Sequence, residues 1–151
     1  MFPKTVLPKT VDRVEVNTAE HVNERIEAET YEHFAKYRSA HPSRISQRLN
    51  ELDSEWDVER CLETAAPTFS LIGLALGVTK DRRWLLVPAV VQAFFLQHAI
   101  QGWCPPLPVL RRLGFRTATE INRERNALKA LRGDFAQAKK DVKAAWNAAE
   151  A

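Results

Sequence analysis

Between Ala65 and Trp103 the chain carries formal charge at one place only, the four consecutive residues Lys80, Asp81, Arg82 and Arg83. The segment before that turn, Ala65–Thr79, has 15 uncharged residues, and extending it back to Cys61 gives 19 with Glu63 as the lone charge. The segment after it, Trp84–Trp103, runs for 20 residues and begins and ends in Trp. A helix rises about 1.5 Å per residue, so roughly 20 residues cross the ~30 Å hydrocarbon core of a bilayer. Tryptophan prefers the headgroup level, which suits both ends of the second segment. A four-residue turn leaves two such helices no arrangement but antiparallel. The prediction is an all-α fold, a transmembrane helical hairpin within 61–116 flanked by amphipathic or soluble helices. Pro88 sits about one turn into the second segment, where a membrane helix tolerates it.

A buried hairpin of a soluble protein is the alternative, because Gln92, Gln97, His98 and Gln101 make the second segment less apolar than a usual span. Both segments are apolar nearly all round, the mark of a helix surrounded by lipid or protein. The polar arms are too small to cover both, which favours lipid. The start, Met1-Phe2-Pro3-Lys4, lacks a basic run followed by an apolar stretch, so no cleavable signal peptide is expected and the internal segments must drive insertion.

Charge is pushed to the two ends. Residues 1–64 carry 9 Lys/Arg against 13 Asp/Glu, whereas residues 104–151 carry 10 against 5. A basic tail next to an apolar segment fits an anionic lipid surface. No aromatic residues interleave with the basic positions in the manner of a nucleic-acid reader, so the expected partners are the lipid bilayer and other protein copies or subunits, not nucleic acid.

The flanks divide in three. Residues 1–18, with Pro3 and Pro8, read as an extended arm. Residues 19–60 read as two amphipathic helices broken at Pro42, the first with Val22, Ile26, Phe34 and Tyr37 on one stripe, the second from Ser43 to about Arg60 with Ile45, Leu49, Leu52 and Trp56 at steps of 4, 3 and 4. Residues 117–151 read as basic helices: Thr117 and Glu120 have capping-box spacing for a helix to Arg132, Gly133 suits its C-cap, and Asp134 suits the start of a last helix over 135–149.

The run Gly102-Trp103-Cys104-Pro105, followed by Leu107, Leu110, Leu113 and Gly114, resembles the end of the YgaP-like inner-membrane domain. That family has two transmembrane helices, then Gly-x-Cys-Pro and a short Leu/Gly-containing tail. Upstream, Asp57 and Arg60 parallel its Asp-Arg pair, and Gly73-Leu74-Ala75-Leu76-Gly77 parallels its small-residue-rich first helix. The likeness covers about 45–117 and extends to uncharacterised proteobacterial proteins with polar helical arms. It implies a bacterial inner-membrane anchor that dimerises through its helices. The family's domain can follow a sulfur-transferring rhodanese; this chain has no room for one and no matching catalytic loop around Cys61, so that activity does not carry over.

Few residues could carry chemistry. Gly73 and Gly77 form GxxxG, whose missing side chains let a helix approach closely, either from another copy or from the chain's own second helix. Cys61 enters the first apolar segment and Cys104 leaves the second, so both belong at one membrane side, with His98 less than two turns before Cys104. A thiol pair or a soft metal site is conceivable there, though three ligands at irregular spacing favour incidental cysteines. His98 with Gln97 and Gln101 could line a polar path. Glu55, Asp57, Glu59 and Glu63 read as the solvated face of a helix lacking a partner His. No cofactor or metal is called for. The expectation is a non-enzymatic membrane-anchored protein, homo-oligomeric or an accessory subunit, with both termini cytoplasmic. A redox or sulfur-handling protein using Cys104 and Cys61 is the rival, and a small oligomeric transporter a third option.

Overall fold

A computed structural model of the chain describes residues 7–137 together with Lys143, Ala145 and Trp146. Among them are six α-helices, α1 (Glu20–Ala35), α2 (Pro42–Ser54), α3 (Val58–Thr79), α4 (Leu86–Gln101), α5 (Leu107–Arg112) and α6 (Ala118–Arg132), and no strand. The all-α hairpin expected from the sequence is therefore the architecture found. The chain divides into two compact units, one of residues 1–24 and 56–118, the other of residues 25–55 and 119–151.

The first unit is built on α3 and α4. Asp57 starts α3: its carboxylate accepts from the Arg60 amide at 2.7 Å, an N-cap that satisfies one of the four orphan donors of a helix start. Another orphan, the Val58 amide, donates to the Arg116 carbonyl at 2.9 Å. From there α3 runs for 22 residues, so the apolar helix begins earlier than Cys61. Pro67 lies inside it, and Thr68 and Ser70 return their hydroxyls to carbonyls four residues back. The turn is shaped by Asp81, which accepts from the Arg83 amide and caps a short 3-10 turn, Arg82–Leu85. Pro88 then falls in the first turn of α4, where its missing N–H costs little. With its 3-10 lead-in, the stretch Arg82–Gln101 is 20 residues long, and it and α3 are both long and apolar enough to cross a membrane.

One stripe of α3 is buried: Val58, Leu62, Ala66, Ser70, Gly73 and Gly77, at steps of four or three. A Cβ on Gly73 would meet Pro88 Cδ at 2.6 Å, and one on Gly77 would overlap the Leu85 side chain. Of the two alternatives for GxxxG, the structure shows the glycines receiving the chain's own second helix. Gln92, on that helix, donates to Ser70 Oγ at 2.9 Å, so a polar side chain that looked out of place has its partner across the hairpin.

The hairpin does not end in open chain. Gly102 closes α4 in the left-handed conformation (φ 79°), its amide donating to the His98 carbonyl at 2.7 Å. Two residues on, Cys104 turns inward to a core of Val14, Val58, Leu62 and Leu107, with Phe95, Trp103, Leu110 and Phe115 around it. Pro106 then precedes α5, as proline commonly does at helix starts.

Two expectations need correcting here. The described part of segment 1–18 is not an extended arm: Glu15–Asn17 forms a 3-10 turn, Val14 is buried in the core, and Asn17 donates to the carbonyls of Arg13 and Gln101. Nor does the second amphipathic helix reach Arg60. It stops at Ser54, and Trp56 lies beyond it, 45% exposed, with the Arg60 guanidinium 4.7 Å from its ring centroid. The capping power of Asp57 explains the break, since a new helix start there competes with continuation.

The second unit packs α2 and α6 around Ile45, Leu49, Leu52, Ile121 and Leu128, with Phe34, Tyr37 and Ala40 alongside. Arg48 reaches the fully buried Glu124 with two hydrogen bonds, at 2.9 and 3.3 Å, and Arg125 reaches Asp53 at 2.7 Å. The start of α6 at Ala118 and Gly133 (φ 92°) after Arg132 agree with the sequence signals. Asp134 begins a 3-10 turn and is held below the usual carboxylate range by hydrogen bonding from Arg132. The last helix expected over 135–149 lies largely outside the described residues.

Candidate functional site

The first unit holds a buried polar cluster where an apolar hairpin would be expected to have none. His98, in the last turn of α4, is 1% exposed, and its Nε2 lies 3.0 Å from Glu59 Oε2. The other oxygen of Glu59 accepts from Arg13 Nη2 at 2.8 Å. Each partner is placed by a local feature. Asp57 starts α3 so that Glu59 falls in its first turn, where a carboxylate also suits the helix dipole. The turn at Glu15–Asn17 fixes the segment bearing Arg13, and Gly102 lets that segment pass against the end of α4, since a Cβ there would run into the Arg13 carbonyl.

Glu59 thus meets His98 through one carboxyl oxygen and Arg13 through the other. The remaining nitrogen, Nδ1, is buried and completes no hydrogen bond of ordinary geometry. The group that interacts with the imidazole besides Glu59 is the Cys104 thiol. Glu59, His98 and Cys104 thus lie together at the end of the hairpin.

Cys104 also lines a cavity of about 280 Å³ between α3 and α4, walled by Leu62, Ala66, Phe69, Val90 and Phe94 among others. Nearly all its lining is hydrocarbon. Cys61 opens instead onto a separate shallow groove with Trp56, Thr64, Thr68 and Phe115. Both cysteines are free thiols, Cys104 buried and Cys61 half-buried. Cys61 and Cys104, which the sequence sets at one end of the hairpin, face different clefts. No group of three or more His, Cys, Asp or Glu with metal-binding geometry occurs among the described residues.

Two functional-looking residues escape a reading of the sequence. Glu59, read as part of a solvated acidic face, has a histidine partner after all, 39 residues away. Arg111, a charged residue in a polar flank of the hairpin, is 0% exposed and donates to Thr18 Oγ1, the Phe115 carbonyl and Asn23 Oδ1. Its proximity to the hydrophobic segment hid a structural role: it ties α5 to the N-terminal segment.

Compared with known protein families, curated proteins and solved structures, the chain matches none.

Proposed function

We propose that the chain is a small membrane-anchored helical protein of the bacterial inner membrane, held by the α3–α4 hairpin and working as a homo-oligomer or as an accessory subunit of a membrane assembly. The observation that carries this is the outer surface of the hairpin. Leu71, Leu74 and Val78 on α3, and Leu86, Leu96 and Ile100 on α4, are all exposed, Val78 to 83%. Soluble proteins rarely leave contiguous apolar surface beyond a few hundred Å² uncovered, so these faces require lipid or protein against them. The polar groups agree, since Gln92 bonds to Ser70 and His98 to Glu59 within the hairpin. Trp84 at the turn and Trp56 and Trp103 at the other end suit the two headgroup levels. The resemblance to the YgaP-like domain, carried by Gly102-x-Cys104-Pro105, supports the same reading.

The test is alkaline carbonate extraction of membranes from cells expressing the full chain. The protein is expected in the pellet and to need detergent for release; quantitative release by carbonate alone overturns the anchor. A second reading, a thiol-handling membrane protein acting through Cys104, is favoured by the interaction of that thiol with the His98 imidazole; Cys61, expected from the sequence as its resolving thiol, opens onto a different cleft. Double Cys→Ser replacement that changes neither assembly nor sulfur metabolism of the cell removes it.

A further inference from the structure

We infer that the end of the hairpin away from the turn holds one two-chain phospholipid, with an acyl chain in each of the clefts on either side of Ala65 and Phe69 and its phosphate on Arg60. The inference rests on the membrane reading of the hairpin, which supplies the ligand.

The two clefts are neighbours. Ala65 and Phe69 line both the cavity of about 280 Å³ between α3 and α4 and the groove of about 560 Å³ beside Cys61. On one side the wall continues through Val90 and Phe94 of α4, on the other through Trp56 and Phe115, and both linings are almost wholly hydrocarbon. Phe69 is 57% exposed, so it stands between them as a ridge. Each space is close to or within the ~300–1,000 Å³ of a small-molecule site. A single apolar chain fills one and leaves the other bare. A molecule with two hydrocarbon chains joined at one end fills both by straddling the ridge, and that is the shape of a diacyl lipid.

The headgroup has a partner at the mouth of the groove. Trp56 forms part of the groove wall, and the Arg60 guanidinium lies 4.7 Å from its ring centroid, held there by the ring face. Arg60 is exposed and makes no ion pair among the described residues. Of the acids around it, Asp57 caps α3, Glu59 is held by His98 and Arg13, and Glu63 forms no ion pair with the guanidinium. A guanidinium offers a phosphate paired charge-assisted hydrogen bonds, which suits it to this role. Arg60, Thr64 and Thr68 follow at steps of four, so they stand in one column on the helix, and a chain that starts at Arg60 runs down that column into the groove. At 1.5 Å per residue, Ala65 and Phe69 lie roughly 8 and 14 Å deeper than Arg60, the depth of acyl chains below their phosphate.

The purified full chain in dodecyl maltoside is titrated with dioleoyl phosphatidylglycerol and with its single-chain lyso form, and bound lipid is counted by native mass spectrometry. One diacyl lipid per chain is expected. Arg60→Gln should weaken both lipids by about tenfold, the worth of one hydrogen-bonded charge contact. Thr68→Trp fills the groove below Arg60 and should weaken both by about tenfold or more. Val90→Trp fills the rim of the other cleft, so the diacyl lipid should lose about tenfold while the lyso form, which uses only the groove under Arg60, holds. Thr68 and Val90 are both exposed, so neither change disturbs the packing of α3 on α4, and unchanged circular dichroism of each variant checks this. A parent that retains no diacyl lipid, binding indifferent to Arg60→Gln, or equal loss of both lipids in Val90→Trp each overturns the inference. A lipid-free dimer in the same spectra overturns it too, since a second copy then covers the clefts. Carbonate extraction of the same variants reads the anchor independently, so failure of the membrane reading and failure of the lipid site remain distinct.

Discussion

One carboxyl oxygen of Glu59 meets the His98 imidazole and the other accepts from Arg13, so a single side chain ties α3 both to α4 and to the N-terminal segment. Glu59→Gln should weaken both contacts and lower stability by about 1–3 kcal/mol, read as a drop in the thermal unfolding midpoint. An unchanged midpoint would show that neither contact contributes to stability. Gly102 makes a second prediction at this scale. Gly102→Ala imposes a left-handed backbone on a residue with a Cβ and drives that Cβ into the Arg13 carbonyl. The conformation alone costs about 1 kcal/mol, and the clash adds the undocking of the Arg13–Asn17 segment. Accelerated proteolysis within residues 7–18, with the hairpin intact, is the expected signature. Neither effect was legible in the sequence: Gly102 was visible as part of a motif, but what passes against it is set by a residue 89 positions away.

For the elements, the hairpin is the best test. Gly73 and Gly77 admit Pro88, Val87 and Leu85, so Gly73→Ile with Gly77→Ile should splay α3 from α4. Overpacking of this kind typically costs about 1–3 kcal/mol per site. Limited proteolysis should then cut near Lys80–Arg83, while association between copies, measured by crosslinking, survives. Loss of dimer with a protease-resistant hairpin would show instead that this face serves a neighbouring copy. In the second unit, Arg48 and Glu124 form a buried pair whose halves are not equivalent when removed. Arg48→Met removes two hydrogen bonds from the fully buried Glu124 carboxylate and should cost about 3–5 kcal/mol, whereas Arg48→Met with Glu124→Leu should recover most of it. Chemical denaturation of single and double variants reads this directly; equal loss in both would mean that the pair itself is the stabilising element.

On the scale of the whole molecule, the proposed membrane anchor carries an expectation of orientation. Positive residues near the spans set topology as the nascent chain inserts, before tertiary burial is complete. Arg48, Arg60, Arg111, Arg112 and Arg116 flank the two outer ends, against Lys80, Arg82 and Arg83 in the turn. Both termini are therefore expected in the cytoplasm. A cysteine introduced at Lys80, in a Cys61→Ser, Cys104→Ser background, should react with a membrane-impermeant maleimide from the periplasmic side. Reaction only after the inner membrane is opened reverses the orientation.

The sequence by itself determined the hairpin, because a run of about twenty uncharged residues is a local property that hydration enforces without reference to any distant contact. It likewise marked the start and stop of α6, since the Thr117–Glu120 spacing and Gly133 are signals confined to one turn of backbone. It could not determine that Glu59 meets His98, that Arg13 meets Glu59, or that Arg111 meets Asn23, pairs separated by 39, 46 and 88 residues. Such contacts leave no periodic trace; a charged residue in a polar flank reads the same whether it faces water or a buried partner. What made these residues partners was packing: Val14, Val58, Leu62, Cys104 and Leu107 close a core at the end of the hairpin, and the polar groups carried in with them had to pair with one another because water was excluded.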